Sequence, residues 1–288
     1  MEKSVLSGVL VMTKFFTIIT STYNAGSTLP RLLESLANQT CRDFELIIQD
    51  GASKDNTLDV LQSYASRLPS VSIASEPDSG IYNAWNKAVQ RIQGQWVIFL
   101  GADDCLVSPD SLETVRQKLL PLPASVVFGA GDVFICDDDN ELFLMRGLDG
   151  NVAKKLRAGE PAVHSALFQR ACLFAGVPFD ETFKVVGDYN FVARLWRNNE
   201  DGHYLDIPVT RMSIGGATSN LRTMLRYRYE KVRVMNRYYG FEATLPHLLG
   251  LVKGLLPYAL SRMFSPQRAV FIYNKIRTLR KLKAAYIK

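Results

Sequence analysis

Residues Glu76 to Asp104, EPDSGIYNAWNKAVQRIQGQWVIFLGADD, predict a turn, a helix and a buried strand in succession. After the turn letters PDSG, apolar side chains recur at helical spacing, at Ile81, Ala84, Trp85 and Ala88. Gly94 then ends the helix, and the apolar run from Trp96 to Leu100 is typical of a buried strand. The strand is followed by two adjacent acids, Asp103 and Asp104. Because ligands of open α/β sheets bind beyond the carboxyl ends of the strands, these acids predict a binding site.

The residues before this stretch repeat the alternation of strand and helix. Three strands are predicted where β-branched and aromatic side chains cluster, at Phe15–Thr20, Phe44–Gln49 and Val71–Ala74. Helices are predicted to begin at Thr28, with Pro30 in the first turn, and at Thr57. Strands that alternate with helices of about ten to fifteen residues predict βαβ units, and therefore a mainly parallel sheet with right-handed crossovers.

The loops at the predicted strand ends are rich in acids and amides rather than glycine. Neither a G-x-G-x-x-G fingerprint nor a P-loop follows the first strand, which removes the main support for a dehydrogenase or an NTPase. Carboxylates and amides suit ribose hydroxyls, a base edge and a hard divalent cation that bridges phosphates. The residues concerned are Asn24, Asp50, Asp55, Asp78, Asn83, Asn86, Asp103 and Asp104.

The second half of the chain alternates less regularly. We predict a helix at Pro109–Leu120, strands at Ser125–Phe134, Glu141–Arg146, Ala162–Gln169 and Tyr204–Val209, and a helix that begins at Gly187. Asp188 would lie in the first turn of that last helix, where the helix dipole favours an ionised carboxylate. His164 would lie near the start of a strand, where a histidine is more often a satisfied core residue than a ligand. A small-residue loop, Ser213–Ala217, could close over a ligand.

Asp137, Asp138 and Asp139 form an acidic triplet between two of these strands. Acids in such a position are typical of a solvated hairpin turn, and we favour that interpretation over a metal site. The four cysteines are far apart and lack zinc-ligand spacing, which indicates reduced thiols in a cytosolic protein. Residues 1–14 are predicted to be an extension, because its apolar segment is too short to cross a membrane.

The positive charge of the chain is concentrated at its C-terminal end. The net charge is +6, yet residues 246–288 hold nine Lys and Arg and no acid, which leaves the remainder with 25 basic and 28 acidic residues. A basic amphipathic helix with aromatic residues suits the anionic surface of a membrane. The alternative is a packing or dimerising helical appendage. Nucleic-acid binding is not predicted, because no recognised module accompanies the basic residues.

Six segments in this order resemble the inverting glycosyltransferases of family 2, which have the GT-A fold. The segments are TIITSTYNAG (17–26), FELIIQDGASKDNT (44–57), EPDSGIYNAWNKAV (76–89), FLGADD (99–104), HSALFQR (164–170) and VGDYNF (186–191). The resemblance implies a Rossmann-like α/β domain over residues 15–240, with a nucleotide-sugar-binding half (15–104), an acceptor-binding half (105–217) and a helix (218–240). Residues 241–288 would form the helical tail.

The resemblance also implies which residues bind the donor, a nucleotide sugar with a UDP-sugar as the first expectation. Asp50 would accept a hydrogen bond from uracil or another base, whereas Asp78, Asn83 and Lys87 would approach the sugar and the diphosphate. The full implied set is Thr20, Tyr23, Asn24, Asp50, Asp55, Asp78, Asn83, Lys87 and Ala102.

The remaining implied roles concern the metal and the base. Asp103 matches the last acid of the family's D-x-D motif, which binds Mn²⁺ or Mg²⁺, and Asp104 follows it. The first acid of that motif is Gly101 in this chain, which departs from the family pattern. Asp188 matches the general base, and His164 would lie on the acceptor side or near the metal.

The expected activity is transfer of a sugar to a hydroxyl group of a glycan in polysaccharide synthesis, with a lipid-linked acceptor. The protein would be cytoplasmic and peripheral at the inner face of the cytoplasmic membrane. Inversion needs one base for the acceptor hydroxyl and one cation for the departing diphosphate, unlike glycoside hydrolysis with its two carboxyl groups. Two alternatives stay open: a non-catalytic sugar-nucleotide or glycan-binding protein, which the glycine at position 101 favours, and a nucleotidyltransferase.

Overall fold

The computed structural model describes residues 13–137, 140–160, 162–213 and 221–263. In its first half, four parallel strands lie side by side in the order β3, β2, β1, β4. Their bounds are β1 (Lys14–Thr22), β2 (Phe44–Asp50), β3 (Val71–Ser75) and β4 (Gly94–Phe99). All four strands and their parallel pairing were predicted from the alternation in the sequence, and both predictions are confirmed.

Three helices connect these strands and cover the two faces of the sheet. They are α1 (Leu29–Ala37), α2 (Thr57–Tyr64) and α3 (Ile81–Ala88). Because successive strand residues point to opposite faces, Ile18 belongs to the apolar cluster that contains Leu32 of α1, whereas Ile19 packs in the cluster that contains Trp85 of α3. The sheet is therefore buried on both faces, as the apolar runs in its strands predict.

The second half of the chain extends the same sheet with strands of mixed direction. Its elements are β5 (Cys105–Leu106), α4 (Ser111–Leu119), β6 (Phe128–Asp137), β7 (Asn140–Met145), α5 (Val152–Ala158), β8 (Leu167–Arg170), α6 (Gly187–Leu195) and β9 (Gly202–Ser213). The complete strand order is β3-β2-β1-β4-β8-β6-β9-β5, and β7 pairs with β6. Strand β8 is antiparallel to both β4 and β6, so the start of β8 lies at the carboxyl end of β4. This mixed α/β sheet confirms the predicted fold class.

The strand predicted at Ala162–Gln169 is only partly correct. Residues His164–Ala166 form a single 3₁₀ turn, closed by the hydrogen bond from the N–H of Ala166 to the carbonyl of Val163, and β8 begins at Leu167. Pairing with β6 starts at Leu167, which faces Ala130. His164 therefore lies on a turn rather than within a strand.

Two long helices follow, α7 (Leu221–Tyr238) and α8 (Gly240–Met263). Helix α8 runs through Pro246 without ending there. The chain changes direction at Gly240 instead, where a φ of +79° favours glycine. A proline interrupts a helix by removing one backbone donor, and here that loss is accommodated within α8.

Several predicted features lie outside the described residues. They are the N-terminal segment to residue 12, Asp138 and Asp139 of the acidic triplet, residues 214–217 of the small-residue loop, residues 218–220 of the helix expected over 218–240 and the tail from residue 264. Among the residues that the structure describes, no helix combines the length and apolar character that a membrane span requires.

Candidate active site

The candidate site lies where the carboxyl ends of β1 to β4 meet the start of β8 and the start of α6. Parallel pairing aligns the ends of the first four strands at one edge of the sheet. The antiparallel pairing of β8 with β4 brings His164, just before β8, to the same edge. The site is thus assembled from both halves of the chain.

Asp50 ties three strand ends together at this edge. Its buried carboxylate accepts hydrogen bonds from the hydroxyls of Thr22 (2.8 Å), Ser53 (2.5 Å) and Ser75 (2.7 Å) and from the Ser53 N–H (2.9 Å). Burial would raise the pKa of Asp50, but these hydrogen bonds outweigh burial and lower it. Protein groups thus engage both carboxylate oxygens, and the base contact implied by the resemblance would be an additional contact.

Asn24 and Asp55 fasten the loops that follow β1 and β2. The Asn24 side-chain oxygen accepts a hydrogen bond from the Lys54 N–H at 2.9 Å, and its φ of +50° is tolerated by asparagine. The Asp55 carboxylate accepts hydrogen bonds from Thr57 and from the Gly26 N–H, and the Thr57 hydroxyl is the main cause of its lowered pKa. Both side chains shape the loops around the site.

Three further members of the predicted donor set differ widely in exposure. The side chain of Tyr23 is 63% exposed and projects from the rim. Thr20 is fully buried in β1, and its hydroxyl has no hydrogen-bond partner within the described part of the chain. Ala102 is partly buried in the turn between β4 and β5. Tyr23 is the one of these three with a freely accessible side chain.

Asp78 occupies the turn before α3 and reaches over the end of β2. It accepts a hydrogen bond from the Gly80 N–H at 2.8 Å, and a Cβ atom on Gly51 would lie only 2.7 Å from its Oδ2 atom. Lys87 donates a hydrogen bond to the Pro77 carbonyl at 2.9 Å and lies 3.4 Å from Glu76. Asp78 is therefore held over the site, whereas the Lys87 ammonium is engaged by the turn itself.

Asn83 connects α3 to the segment that leads into α6. Its amide donates a hydrogen bond to Glu181 at 3.0 Å, and Asn86 donates to the other oxygen of Glu181 at 2.9 Å. Asn86 is also hydrogen-bonded in both directions to the backbone of Phe179. These contacts join the two halves of the chain, a role that sequence reasoning did not assign to Asn83 or Glu181.

The two acids after β4 have different surroundings. Asp104 is 2% exposed and accepts a hydrogen bond from the Gly101 N–H at 2.7 Å, whereas Asp103 is partly exposed. Burial raises the pKa of Asp104 to about 6. A Cβ atom on Gly101 would lie 2.8 Å from Asp103 Oδ1 and 3.1 Å from Asp104 Oδ2, so both carboxylates fold over this glycine. The absent side chain at position 101 leaves room for them.

Asp188 and His164 face each other across the site. The His164 Nδ1 atom lies 3.5 Å from Asp188 Oδ2, and the Tyr82 hydroxyl donates to Asp188 Oδ1 at 3.2 Å. Burial would raise the pKa of Asp188, but the hydrogen bond and charge of His164 outweigh it and lower the pKa. Burial would lower the pKa of His164, but Asp188, Asp104 and Asp103 raise it. Asp188 is therefore ionised at neutral pH and points into the site.

Asp103 and Asp104 supply too few ligands to hold a divalent cation alone, and a bound diphosphate would have to supply the others. Within the described ranges, no group of three or more His, Cys, Asp or Glu side chains could hold a metal by itself. Mg²⁺ commonly binds through one or two carboxylates plus substrate phosphates, and Asp103 and Asp104 offer that donor set. The residues present thus fit a cation that enters with a diphosphate.

A pocket of about 600 Å³, which sequence reasoning missed, adjoins this region on the β9 side. It is lined by Arg31, Cys105, Asn140, Glu141 and Arg211. Ser213, at the end of β9, donates a hydrogen bond to the carbonyl of Asp103 at 3.3 Å, which joins this strand to the loop of the acidic pair. No local signal in the sequence brings Arg31 of α1 next to Arg211 of β9; only the sheet order does.

Comparison with known protein families gives one matching family model, described as glycosyl transferase family 2, over residues 17–170. A similar sequence is the "PGL/p-HBAD biosynthesis glycosyltransferase" of Mycobacterium bovis (strain BCG / Pasteur 1173P2). The two chains are 34% identical over 209 residues, which cover 71% of this chain and 79% of the relative.

Solved structures with a similar fold include two with nucleotide sugars. One is S. aureus TarS 1–349 in complex with UDP-GlcNAc, with a TM-score of 0.55, 16% identity and coverage of 84% of this chain and 72% of that chain. The other is a mannosyltransferase from Pyrobaculum calidifontis in complex with GDP-Man and Mn²⁺, with a TM-score of 0.55, 17% identity and coverage of 91% and 79%. At these identities the likeness concerns the fold, which is the GT-A fold implied by the motifs.

Proposed function

Because this chain belongs to glycosyl transferase family 2, we propose that it is an inverting enzyme that transfers a sugar from a nucleoside diphosphate to a glycan hydroxyl. The observation that carries the proposal is the arrangement of Asp103 and Asp104 at the end of β4 and of Asp188 at the start of α6, all at one edge of the sheet. The acidic pair suits the leaving diphosphate, and Asp188 suits the attacking hydroxyl.

Asp188 would act as the general base. It is ionised at neutral pH, and its carboxylate is held by Tyr82 and His164. A carboxylate with a lowered pKa is a weak base in the ground state, but the acceptor hydroxyl becomes more acidic as its oxygen attacks the anomeric carbon, so Asp188 would accept the proton during the attack. His164 would orient Asp188 from the acceptor side of the site.

Asp103 and Asp104 would hold Mn²⁺ or Mg²⁺ together with the diphosphate oxygens. Such a cation stabilises the negative charge that develops on the departing diphosphate. Asp78 would approach the donor sugar from the turn before α3, and Tyr23 would contact the nucleotide from the rim. The donors in the similar structures, UDP-GlcNAc and GDP-Man, support a nucleotide sugar as the donor class, and a UDP-sugar is the first to test.

Turnover of the donor tests both roles. Nucleoside diphosphate release should be measured with Mn²⁺ and a panel of UDP-, GDP- and dTDP-sugars for wild type, Asp188→Asn and Asp103→Ala. Loss of a general base typically lowers the rate by about 10²–10⁴-fold, and we expect a loss of that order for Asp188→Asn. In Asp103→Ala, nucleoside diphosphate release should no longer increase when Mn²⁺ is added.

Three outcomes would contradict the proposal. Unchanged diphosphate release in Asp103→Ala would remove the metal role of this acid. Release of pyrophosphate instead of a nucleoside diphosphate would identify a nucleotidyltransferase. Tight donor binding without any turnover by wild type, with or without glycan acceptors, would favour the non-catalytic binding protein. Exposed Glu242, in α8 and far along the chain from the site residues, supplies a matched control as Glu242→Gln.

The C-terminal helix supports a membrane-bound, lipid-linked acceptor and a position at the inner face of the cytoplasmic membrane. One side of α8 packs on α7, where Arg228 donates a hydrogen bond to the Gly250 carbonyl. The other side exposes large apolar side chains that share one face of the helix, at Phe241, Leu245, Leu248, Leu249, Val252 and Leu255. We call these six residues the α8 stripe. An apolar stripe followed by a chain segment with basic residues and no acid suits an anionic lipid surface.

A further inference from the structure

Helix α7 contacts the segment that leads into α6 through Arg233, Arg237 and a buried acid, Glu230, and Glu230 is the one that binds its backbone N–H groups. Its side chain is 2% exposed. Its carboxylate accepts hydrogen bonds from three successive backbone N–H groups, those of Lys184 (2.9 Å), Val185 (2.9 Å) and Val186 (3.1 Å). Such convergence of consecutive N–H groups on one anion is a strong, charge-assisted arrangement.

This anchor lies directly before the proposed base. Val186 is the N-cap of α6, and its own side chain cannot accept the hydrogen bonds that unpaired N–H groups at a helix start require. Glu230, which lies 44 residues after Val186 on another helix, accepts the Val186 N–H, one of the N–H groups at the start of α6 that have no acceptor within the helix. Gly187 and Asp188 follow immediately, so the position of the Asp188 backbone depends on where Glu230 holds residues 184–186.

A second contact from α7 reaches the far side of the same residue. The ammonium group of Lys231, the neighbour of Glu230, lies 3.3 Å from the ring centroid of Tyr189, which follows Asp188. The Tyr189 hydroxyl in turn donates a hydrogen bond to the Leu156 carbonyl of α5. Helix α7 therefore contacts the chain on both sides of Asp188.

We propose that Glu230 is a positioning residue that sets the place of Asp188 by anchoring the backbone of residues 184–186. Glu230 does not touch Asp188; it acts through the N–H groups that precede it. The proposal rests on the proposed function, in which Asp188 is the general base. It assigns α7, which the resemblance implied only as a helix over residues 218–240, an indirect part in catalysis through the position of Asp188.

The test compares Glu230→Gln with wild type in full-length protein. Glutamine keeps the size of the side chain but removes the charge and one acceptor, so the three N–H groups can no longer all be satisfied. We expect kcat for donor turnover to fall by at least tenfold while the KM for the donor changes less than twofold. In an Asp188→Asn background, Glu230→Gln should cause no further loss, because its effect passes through Asp188.

Hydrogen exchange of the amides of residues 184–186 provides a readout that does not need activity. These amides should exchange faster in Glu230→Gln, whereas the strand amides of β1 and β4 should not. Glu242→Gln, whose carboxylate is 93% exposed and lies 3.9 Å from Arg157, is the control and should change neither exchange nor kcat. Should Glu230→Gln fail to fold, Glu230→Asp keeps the charge but shortens the side chain, and the same measurements apply.

Two results would overturn the positioning role. One is an unchanged kcat in a folded Glu230 variant with faster amide exchange. The other is a loss of turnover of equal size in the wild-type and Asp188→Asn backgrounds, which would indicate a general effect on stability. Absence of donor turnover in wild type would instead defeat the proposed function, and the exchange measurement would still report whether Glu230 anchors residues 184–186.

Discussion

At the scale of single residues, the neighbours Asp103 and Asp104 differ because one side chain is open to solvent and the other is not. Asp104 is buried against its own loop, and burial raises its pKa from 3.8 to about 6. At pH values between 3.8 and about 6, the Asp104 carboxyl is therefore protonated in the folded protein but ionised in the unfolded chain. Folding stability therefore falls as pH rises through this window, and the full cost is present above pH 6.

Asp104→Asn should consequently stabilise the metal-free protein at pH 7.5 but leave its stability nearly unchanged at pH 4. A shift of this size corresponds to about 3 kcal/mol, since one pKa unit is worth about 1.4 kcal/mol. Asparagine can still accept the Gly101 N–H hydrogen bond, so the loop should persist. Urea unfolding with EDTA at both pH values provides the measurement. An equal change in unfolding free energy at pH 4 and pH 7.5 would mean that Asp104 carries no such cost.

Gly101 resolves the departure from the family's D-x-D pattern in steric terms. An acid in its place would bring a Cβ atom within 3.1 Å of both neighbouring carboxylates, as these are arranged here. The glycine therefore belongs with a loop in which Asp103 and Asp104 fold back. Glycine in place of the first D-x-D acid is therefore not by itself an argument for a non-catalytic protein.

At the scale of elements, Asp188, the proposed base, is placed by the fit between α3 and α6. The Tyr82 ring packs against Gly187, and its hydroxyl donates to Asp188. The ring is itself confined, with Trp85 at 5.5 Å and Phe179 at 6.0 Å between ring centroids. Two helices that come from different halves of the chain thus meet across a glycine and an aromatic ring.

Gly187→Ala should therefore destabilise the protein, although alanine is ordinarily the better helix former. The added Cβ atom would lie 2.6–2.8 Å from three atoms of the Tyr82 ring, and overpacking of this kind typically costs about 1–3 kcal/mol. Thermal or urea unfolding of the variant measures the loss. In a Tyr82→Ala background the same substitution should cost much less. A similar cost in both backgrounds would show that the ring does not limit the space at position 187.

At the scale of the whole molecule, the α8 stripe and the basic tail sit at the same end of the chain. The tail from residue 264 lies beyond the described residues, but the α8 stripe is exposed on a helix that is anchored to α7. An apolar stripe of this length on a protein surface indicates an interaction site. Membrane contact through α8 would bring a lipid-linked acceptor close to the enzyme.

Replacing Leu245, Leu249 and Val252 by serine in the full-length protein should weaken flotation with liposomes that contain anionic lipid. Full burial of one large apolar side chain contributes about 1.5–3 kcal/mol to binding. Even if the three side chains insert only partly, their loss should lower the affinity for liposomes by well over tenfold. Donor turnover in solution should stay unchanged. Leu58, exposed on α2, provides the control as Leu58→Ser. Undiminished flotation together with a smaller mass in light scattering would identify the α8 stripe as a contact between copies.

The sequence by itself determined the fold class, the four parallel strands and the acids at their ends, because these depend on local periodicity and on residues adjacent in the chain. It also predicted that Asp188 lies in the first turn of a helix, because that position is a local property. Local patterns gave no sign of the roles of Glu181 and Glu230, since each acts on groups many residues away.

Only the tertiary structure decided which side chains face each other. Antiparallel pairing of β8 with β4 brings His164 to the acids after β4, and the pairing register of two strands cannot be read from either strand alone. Burial decided that Asp104 differs from Asp103, because the environment of a side chain depends on what packs over it. Helix α7 likewise meets residues 184–186 only in the folded chain, because more than 40 residues separate Glu230 from them.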